Sequence, residues 1–202
     1  MNNGRLLIIF TKNPEAGLVK TRLAHAVGDK KALEVYEVLR KHTALVTANV
    51  EAERTVYYSR FIPSSDLFLT NKFTLKLQEG EDLGARMHHA ISTEFATGFR
   101  HIVLIGTDCY ELNSEILIEA FNALERSDAV VGPAIDGGFY LIGLNRPVPE
   151  LFLNRQWSTP EVFRETIGIL QRFAIPCELL APLPDIDTFE DLKKSALWTS
   201  EQ

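Results

Sequence analysis

Residues 6–10, LLIIF, form an apolar run with no polar break, the pattern of a strand buried on both faces. Residues 102–106 repeat it, and 54–59 and 73–78 are shorter β-type runs. Elsewhere the spacing turns helical. Leu33, Tyr36, Leu39 and Ala44 recur within 32–46, and Met87, Ala90 and Ile91 share one side of 83–95. Asn113 is a cap for a helix running to Leu124. Residues 129–134 and 139–144 flank Ile135-Asp136-Gly137-Gly138, and Asp-Gly and Gly-Gly pairs signal a hairpin turn. Thr159 is placed to cap a helix with Pro160 in its first turn. Residues 177–180 read as a last short strand and 188–196 as a last helix. Strands alternating with helices, then a hairpin, predict a mixed, mostly parallel sheet with helices on both faces, a three-layer α/β/α arrangement.

Composition adds bounds. A chain of 202 residues, 46% hydrophobic and 24% charged, is long enough for one well-buried core, and it shows no repeat, linker or low-complexity tract. A single domain over residues 1–202 is expected. No apolar run approaches the roughly 18 residues of a membrane span, and MNNGR before the first apolar run is too short for a secretory signal. Cys109 and Cys177 match no zinc or redox spacing, so a reduced, cytoplasmic protein is expected. The formal net charge of −6, with no Lys/Arg cluster along any helix, argues against nucleic acid and membrane partners.

Against that acidic balance, TKNPEAGLVKTRLA (residues 11–24) gathers Lys12, Lys20 and Arg22 straight after the first strand. Pro14 and Gly17 delay a regular helix until about Lys20. The stretch is not a P-loop, since the first glycine of that motif would fall at Lys12, and Gly17 stands alone where a dinucleotide fingerprint needs three glycines. What remains is a glycine for close approach, amides at a helix start and nearby cations, a combination that favours anions. A solvated loop accounts for the stretch equally well when it is read alone.

Further stretches carry acids. In IVLIGTDCYEL, Asp108 lies just past the carboxyl end of a strand, where open α/β sheets bind ligands and where an aspartate can hold a hard cation. A turn or cap role fits less well, because Asp108 precedes Asn113 by several residues. In GPAIDGGFYLIGL, Asp136 is explained by the turn, yet the apolar flanks predict a buried hairpin whose Gly137 and Gly138 let backbone approach a ligand. In LPDIDTFEDL, Asp185 and Asp187 alternate, so extended backbone points both to one side, while Thr188 or Asp187 can cap a helix with Asp191 at N3.

Together with EDLGARM and WSTPEVF, these motifs occur in the order found in a known family. From residue 8 to about 192 the chain resembles the small GT-A-fold glycosyltransferases linked to radical-SAM, selenodomain or arsenosugar pathways. More distantly it is similar to the nucleotidyltransferases that guanylylate phospholactate or molybdopterin, which share the nucleotide-diphospho-sugar transferase fold. It departs from the family pattern at Tyr110, where proline usually follows the Asp-Cys pair. The resemblance implies a GT-A fold and a metal-dependent transferase with a nucleotide donor. A nucleotide-sugar glycosyltransferase acting on a small acceptor is the first expectation. A nucleotidyltransferase, or a non-catalytic nucleotide-binding protein, is the alternative. By the same resemblance Lys12, Gly17, Lys20 and Arg22 meet the donor phosphates. Asp108, Asp185 and Asp187 hold Mg²⁺ or Mn²⁺, and Asp136 serves the acceptor beside Gly137 and Gly138. Asp82 and Arg86 contact donor or acceptor, although an i,i+4 surface ion pair explains them as well. Trp157, Ser158 and Thr159 wall the acceptor pocket, with core packing the alternative for Trp157.

Overall fold

The computed structural model describes residues 4–70 and 72–200. Among these, β1 (Arg5–Thr11), β2 (Glu53–Tyr58), β3 (Thr74–Leu77), β4 (His101–Ile105), β5 (Ala129–Pro133), β6 (Phe139–Leu144) and β7 (Cys177–Leu179) form one sheet. Its order is β3-β2-β1-β4-β6-β5-β7. Only β6 runs against the rest, pairing antiparallel with β4 and with β5. The mixed, mostly parallel sheet is as expected.

The unbroken apolar run of β1 follows from cover on both faces. Leu7 and Ile9 join one cluster with Val103, Ile105 and the α4 residues Leu117, Phe121 and Leu124, where α4 is Ser114–Leu124. Leu6, Ile8 and Phe10 join the opposite cluster with Met87 and Ile91 of α3 (Leu83–Ala96) and Leu170 of α5 (Val162–Arg172). A third cluster joins α1 (Thr21–Val27), α2 (Asp29–Ala48), α6 (Phe189–Lys194) and α7 (Ala196–Ser200) through Leu23, Val35, Leu39, Ile186, Leu192 and Leu197. Helices therefore cover both faces, giving the three-layer arrangement. No helix among the described residues is long and apolar enough to cross a membrane.

Some elements differ from expectation. The helix expected over 188–196 is two helices, because Ser195 leaves helical conformation between α6 and α7. Thr188 caps α6 in a full capping box with Asp191, which leaves Asp187 free of that duty. Thr159 does not cap α5. The helix starts at Val162, and its early amide Phe163 N donates instead to the carbonyl of Gly137 at 2.8 Å. The hairpin strands are buried, but the tip is not: Ile135 is 70% exposed. Gly137 has φ +96, and a Cβ there would collide with the carbonyl of Pro160, so only glycine lets the tip dock on the start of α5.

Candidate active site

The carboxyl ends of β1, β4 and β5 and the amino end of β6 share one edge of the sheet, because β6 alone is antiparallel. Segment 183–187 is laid along that edge by the Ala134–Leu183 bridge and by Ile186 N donating to the Asp108 carbonyl at 3.0 Å. Asp108, Asp136, Asp185 and Asp187 thus come together from three segments far apart in the chain. Lys20 meets them from α1. Its Nζ lies 2.6 Å from Asp108 Oδ1 and 2.9 Å from Asp187 Oδ1, and its side chain is 4% exposed. The residue sits at the N-cap of α1 with φ 47 and ψ 43, left-handed for a non-glycine. Such strain, about 1–3 kcal/mol, persists only where surrounding contacts hold it.

Charge on this edge is unevenly shared. Burial opposes the Lys20 ammonium, but Asp108 and then Asp187 outweigh it and hold the amine protonated far above its usual range. Burial likewise pushes against the Asp187 carboxylate, yet Lys20, with Arg22 and Lys12, holds it below the ordinary carboxylate value. Asp185 receives no such partner. Burial, then the negative charge of Asp108, with Asp136 and Asp187 adding to it, pushes Asp185 up to about 8 against the opposing pull of Lys20. The folded state therefore keeps a proton on Asp185 that the unfolded chain has lost above about 4. Stability should fall as pH rises from about 4 to about 8, and Asp185→Asn should flatten that stretch of the urea-denaturation profile. Asp187 titrates below this window and does not mask it. An unaltered slope in the Asn variant would refute the assignment.

A buried polar network that sequence reasoning missed holds the edge from beneath. The Tyr36 hydroxyl accepts from Lys12 N at 2.8 Å and from Thr107 Oγ1 at 3.2 Å, and stands 3.1 Å from Thr11 Oγ1. It ties the end of β1 to the residue before Asp108. Arg40 Nε donates to Thr11 Oγ1, and its Nη2 pairs with Asp66 at 2.6 Å. Asn13, 3% exposed, accepts from Arg60 N and donates to the Phe61 carbonyl, joining the β1 and β2 loops. A signal was available for Arg40: it follows Tyr36 by four residues, so a cation falls on the buried face of α2 and requires a partner.

The remaining residues divide. Lys12 and Arg86 line a cleft of about 390 Å³ beyond β1 and β2, together with Asn13, Ser59 and Arg60. Arg22 is exposed, 3.6 Å from Asp187. Gly17, with φ 77, lies against Asp29 at the start of α2. The ion pair that was the alternative reading of Asp82 and Arg86 does not form among the described residues. Asp82 caps α3 by accepting from Ala85 N at 2.8 Å, and Arg86 Nε donates to the Gly80 carbonyl. Trp157 takes the core alternative. Its indole stacks on Phe152, donates to the Phe152 carbonyl, and passes so close to α3 that a Cβ on Gly84 would collide with it. Ser158 (φ 61) and Thr159 follow on the loop that precedes α5 and the docked Gly137. Asp136 Oδ1 accepts from Gly138 N at 2.9 Å, as a turn aspartate does. Tyr110 packs on the His42 ring at 4.6 Å and leaves Asp108 at the edge. Burial, with the charge of Asp185, pushes the Cys109 thiol up to about 12, which leaves no thiolate nucleophile beside Asp108. A larger cleft, about 1050 Å³, follows α5 past Arg155, Glu165 and Phe173; neither cleft is lined by the aspartates, but Lys12 of the smaller one acts on Asp187. The carboxylates and the buried ammonium meet instead at the strand-end edge.

No group of three or more His, Cys, Asp or Glu side chains among the described residues is arranged to hold a metal ion. The expected cage of Asp108, Asp185 and Asp187 is not closed, since Lys20 lies between Asp108 and Asp187. Those two carboxylates still suit Mg²⁺ or Mn²⁺ arriving with phosphate, because Mg²⁺ sites often use one or two carboxylates and complete the shell with phosphate oxygens and water.

Residues 42–159 match the model of a family described as uncharacterized protein conserved in bacteria, DUF2064. A protein from Desulfovibrio desulfuricans G20, provisionally described as a nucleotide-diphospho-sugar transferase, aligns with TM-score 0.86 and 29% identity over 98% of this chain and 94% of its own. The inositol-1-phosphate CTP transferase from T. maritima aligns with TM-score 0.63 and 12% identity, covering 94% of this chain and 92% of its own. A Mycobacterium tuberculosis H37Rv protein solved in complex with manganese aligns with TM-score 0.56 and 12% identity, over 94% and 96%. No curated protein matches the chain. The fold is that of the nucleotide-diphospho-sugar transferases.

Proposed function

We propose that this chain, which belongs to the DUF2064 family, is a transferase of one domain over residues 1–202 that takes a nucleotide donor, and that it passes the donor's sugar to a small acceptor. The observation that carries the reading is the pairing of Asp108 and Asp187 with a buried ammonium, with Asp185 and then Asp136 close enough to act on one another, and with Lys12 of the adjoining cleft acting on Asp187. The descriptions of the D. desulfuricans and T. maritima proteins support a nucleotide donor.

In this reading the cleft takes the nucleoside, and Lys12, Arg86 and Arg22 meet the phosphates. These cations stabilise the negative charge that gathers on a nucleoside diphosphate as its bond to the sugar breaks. A divalent cation held by Asp108 and Asp187 would add to that neutralisation. Asp136 stands on the exposed tip with Oδ1 engaged by Gly138 N, which leaves Oδ2 to take a proton from an acceptor hydroxyl. Gly137, Gly138, Ser158 and Thr159 border the tip and carry no charge. Nearby Arg155 spends its two terminal nitrogens on the carbonyls of Leu151 and Val162, on Thr166 and on Glu165. That neutral border suits a hydroxyl acceptor better than a phosphorylated one, which favours glycosyl over nucleotidyl transfer.

A thermal-shift screen of nucleosides, nucleoside di- and triphosphates and nucleotide sugars, with Mg²⁺ or Mn²⁺, tests the reading. Phosphorylated ligands should stabilise the protein and bare nucleosides should not. Lys12→Met and Arg86→Met should each weaken nucleotide binding by about 1–3 kcal/mol, the range for hydrogen bonds to charged groups, and reduce its salt dependence. Equal affinity for nucleoside and nucleoside diphosphate would overturn the assignment of the loop.

A further inference from the structure

Lys20 was expected at the donor phosphates, yet its ammonium is closed in by the two carboxylates best placed for a metal ion, at 2.6 Å from Asp108 and 2.9 Å from Asp187. Nothing about this contact is loose. The side chain is 4% exposed, and the residue accepts a left-handed backbone to bring it there. Asp187 is free for Lys20 because Thr188 and Asp191 cap α6 between themselves. Asp108 is held in place from behind, since its own carbonyl receives Ile186 N. Each end of the bridge is thus fixed by neighbouring backbone.

Mg²⁺ on the same two Oδ1 atoms would bond them at about 2.0–2.1 Å, in the space that Nζ now fills; the ion is left with the two Oδ2 atoms, and Arg22 already lies 3.6 Å from that of Asp187. It would also meet the buried ammonium as a like charge at short range. The two cations cannot be held together by this pair of oxygens.

The geometry points to Lys20 as the resident counter-ion of this site: its ammonium competes with a divalent cation for Asp108 and Asp187, so that the free protein resists loading with metal alone. The inference concerns the aspartates and Lys20 and needs no nucleotide. It also gives the lysine a role distinct from Lys12 and Arg86, which line the adjoining cleft without a carboxylate partner of this kind.

The test is Mn²⁺ titration of the metal-free protein followed by electron paramagnetic resonance, with no nucleotide present. Wild type should bind Mn²⁺ weakly, and Lys20→Met should bind at least ten times more tightly, because the competitor is gone and the carboxylates are left without a cation. Lys20→Gln retains a hydrogen-bonding side chain without charge and should behave the same way, which covers the case that the Met variant folds poorly. Lys20→Arg keeps a cation and should stay near wild type. Adding Asp108→Asn to Lys20→Gln should erase the gain. In a melting experiment the Gln variant should start below wild type and recover more than wild type on addition of Mn²⁺. Equal or weaker Mn²⁺ binding by the uncharged variants would overturn the inference, as would a gain that survives loss of Asp108. Since the titrant is the ion alone, a nucleotide screen without hits would leave this result standing, and the converse holds too.

Discussion

Asp108→Asn should lower turnover by two orders of magnitude or more while the protein stays folded. The carboxylate lies just beyond the end of β4, against the Lys20 ammonium at 2.6 Å, and the amide has nearly the same shape without the charge. The carboxylate repels a leaving nucleotide by itself and can act only through a cation it holds; if that cation neutralises the developing charge, losing it costs at least as much as losing an oxyanion-hole donor, about 10²–10³ in rate. The fold should tolerate the change, because Asp187 still pairs with Lys20 and the Asp108 carbonyl still receives Ile186 N. Turnover with the donor found in the nucleotide screen, beside a urea melt of the same sample, measures both. Near-normal turnover in a folded variant would remove Asp108 from the chemistry. Asp136→Asn is the companion measurement. Asparagine preserves the acceptor for Gly138 N, so the turn should survive, and a large fall in turnover at unchanged donor affinity would place Asp136 with the acceptor. A silent variant would make it a turn residue only.

Asp66→Ala should produce the largest loss of stability. Arg40 and Asp66 pair at 2.6 Å with side chains 2% and 4% exposed. Asp66 also accepts from the Tyr58 hydroxyl at 2.7 Å and from Phe68 N at 3.0 Å. Alanine would strand a buried guanidinium and leave those donors unpaired, which costs about 3–5 kcal/mol. That is a large part of the 5–15 kcal/mol that holds a typical domain together. Urea denaturation reads it directly, and a loss under about 1 kcal/mol would show that the pair is not buried in solution. Combining Asp66→Leu with Arg40→Met should recover the part of the deficit that comes from the stranded charge, because an apolar pair of similar volume removes the desolvation cost of both charges, while the Tyr58 hydroxyl and Phe68 N stay unpaired. Nucleotide binding should weaken even where the fold persists, since Arg40 also donates to Thr11 at the end of β1.

The elements were largely legible in the sequence because their signals are local. An apolar run such as LLIIF can be buried only between two layers, and the alternation of such runs with helical spacing leaves few topologies. Caps read equally well where the capping side chain is a neighbour in the chain, as with Asn113 and Thr188. They failed where the partner is remote. Thr159 is spared as a cap because a carbonyl from the hairpin tip already satisfies the α5 amide.

Residue types also pointed to one edge of the sheet, where the structure brings together aspartates past strand ends, a cationic loop and a glycine-flanked turn. What the sequence could not determine is which charge meets which. Lys20 and Asp187 are remote in the chain, and whether the lysine faces phosphate or carboxylate depends on where segment 183–187 lies, which the Ala134–Leu183 bridge decides. Asp82 and Arg86 read equally well as ligand contacts or as a surface ion pair, and the start of α3 uses Asp82 as a cap. Tyr36 read as one more apolar position on α2, and only the meeting of β1 with β4 turns its hydroxyl into the joint beneath the site. Periodicity is a property of neighbours along the chain. The pairing of buried charges is a property of neighbours in space, where the low dielectric makes each partner's identity count.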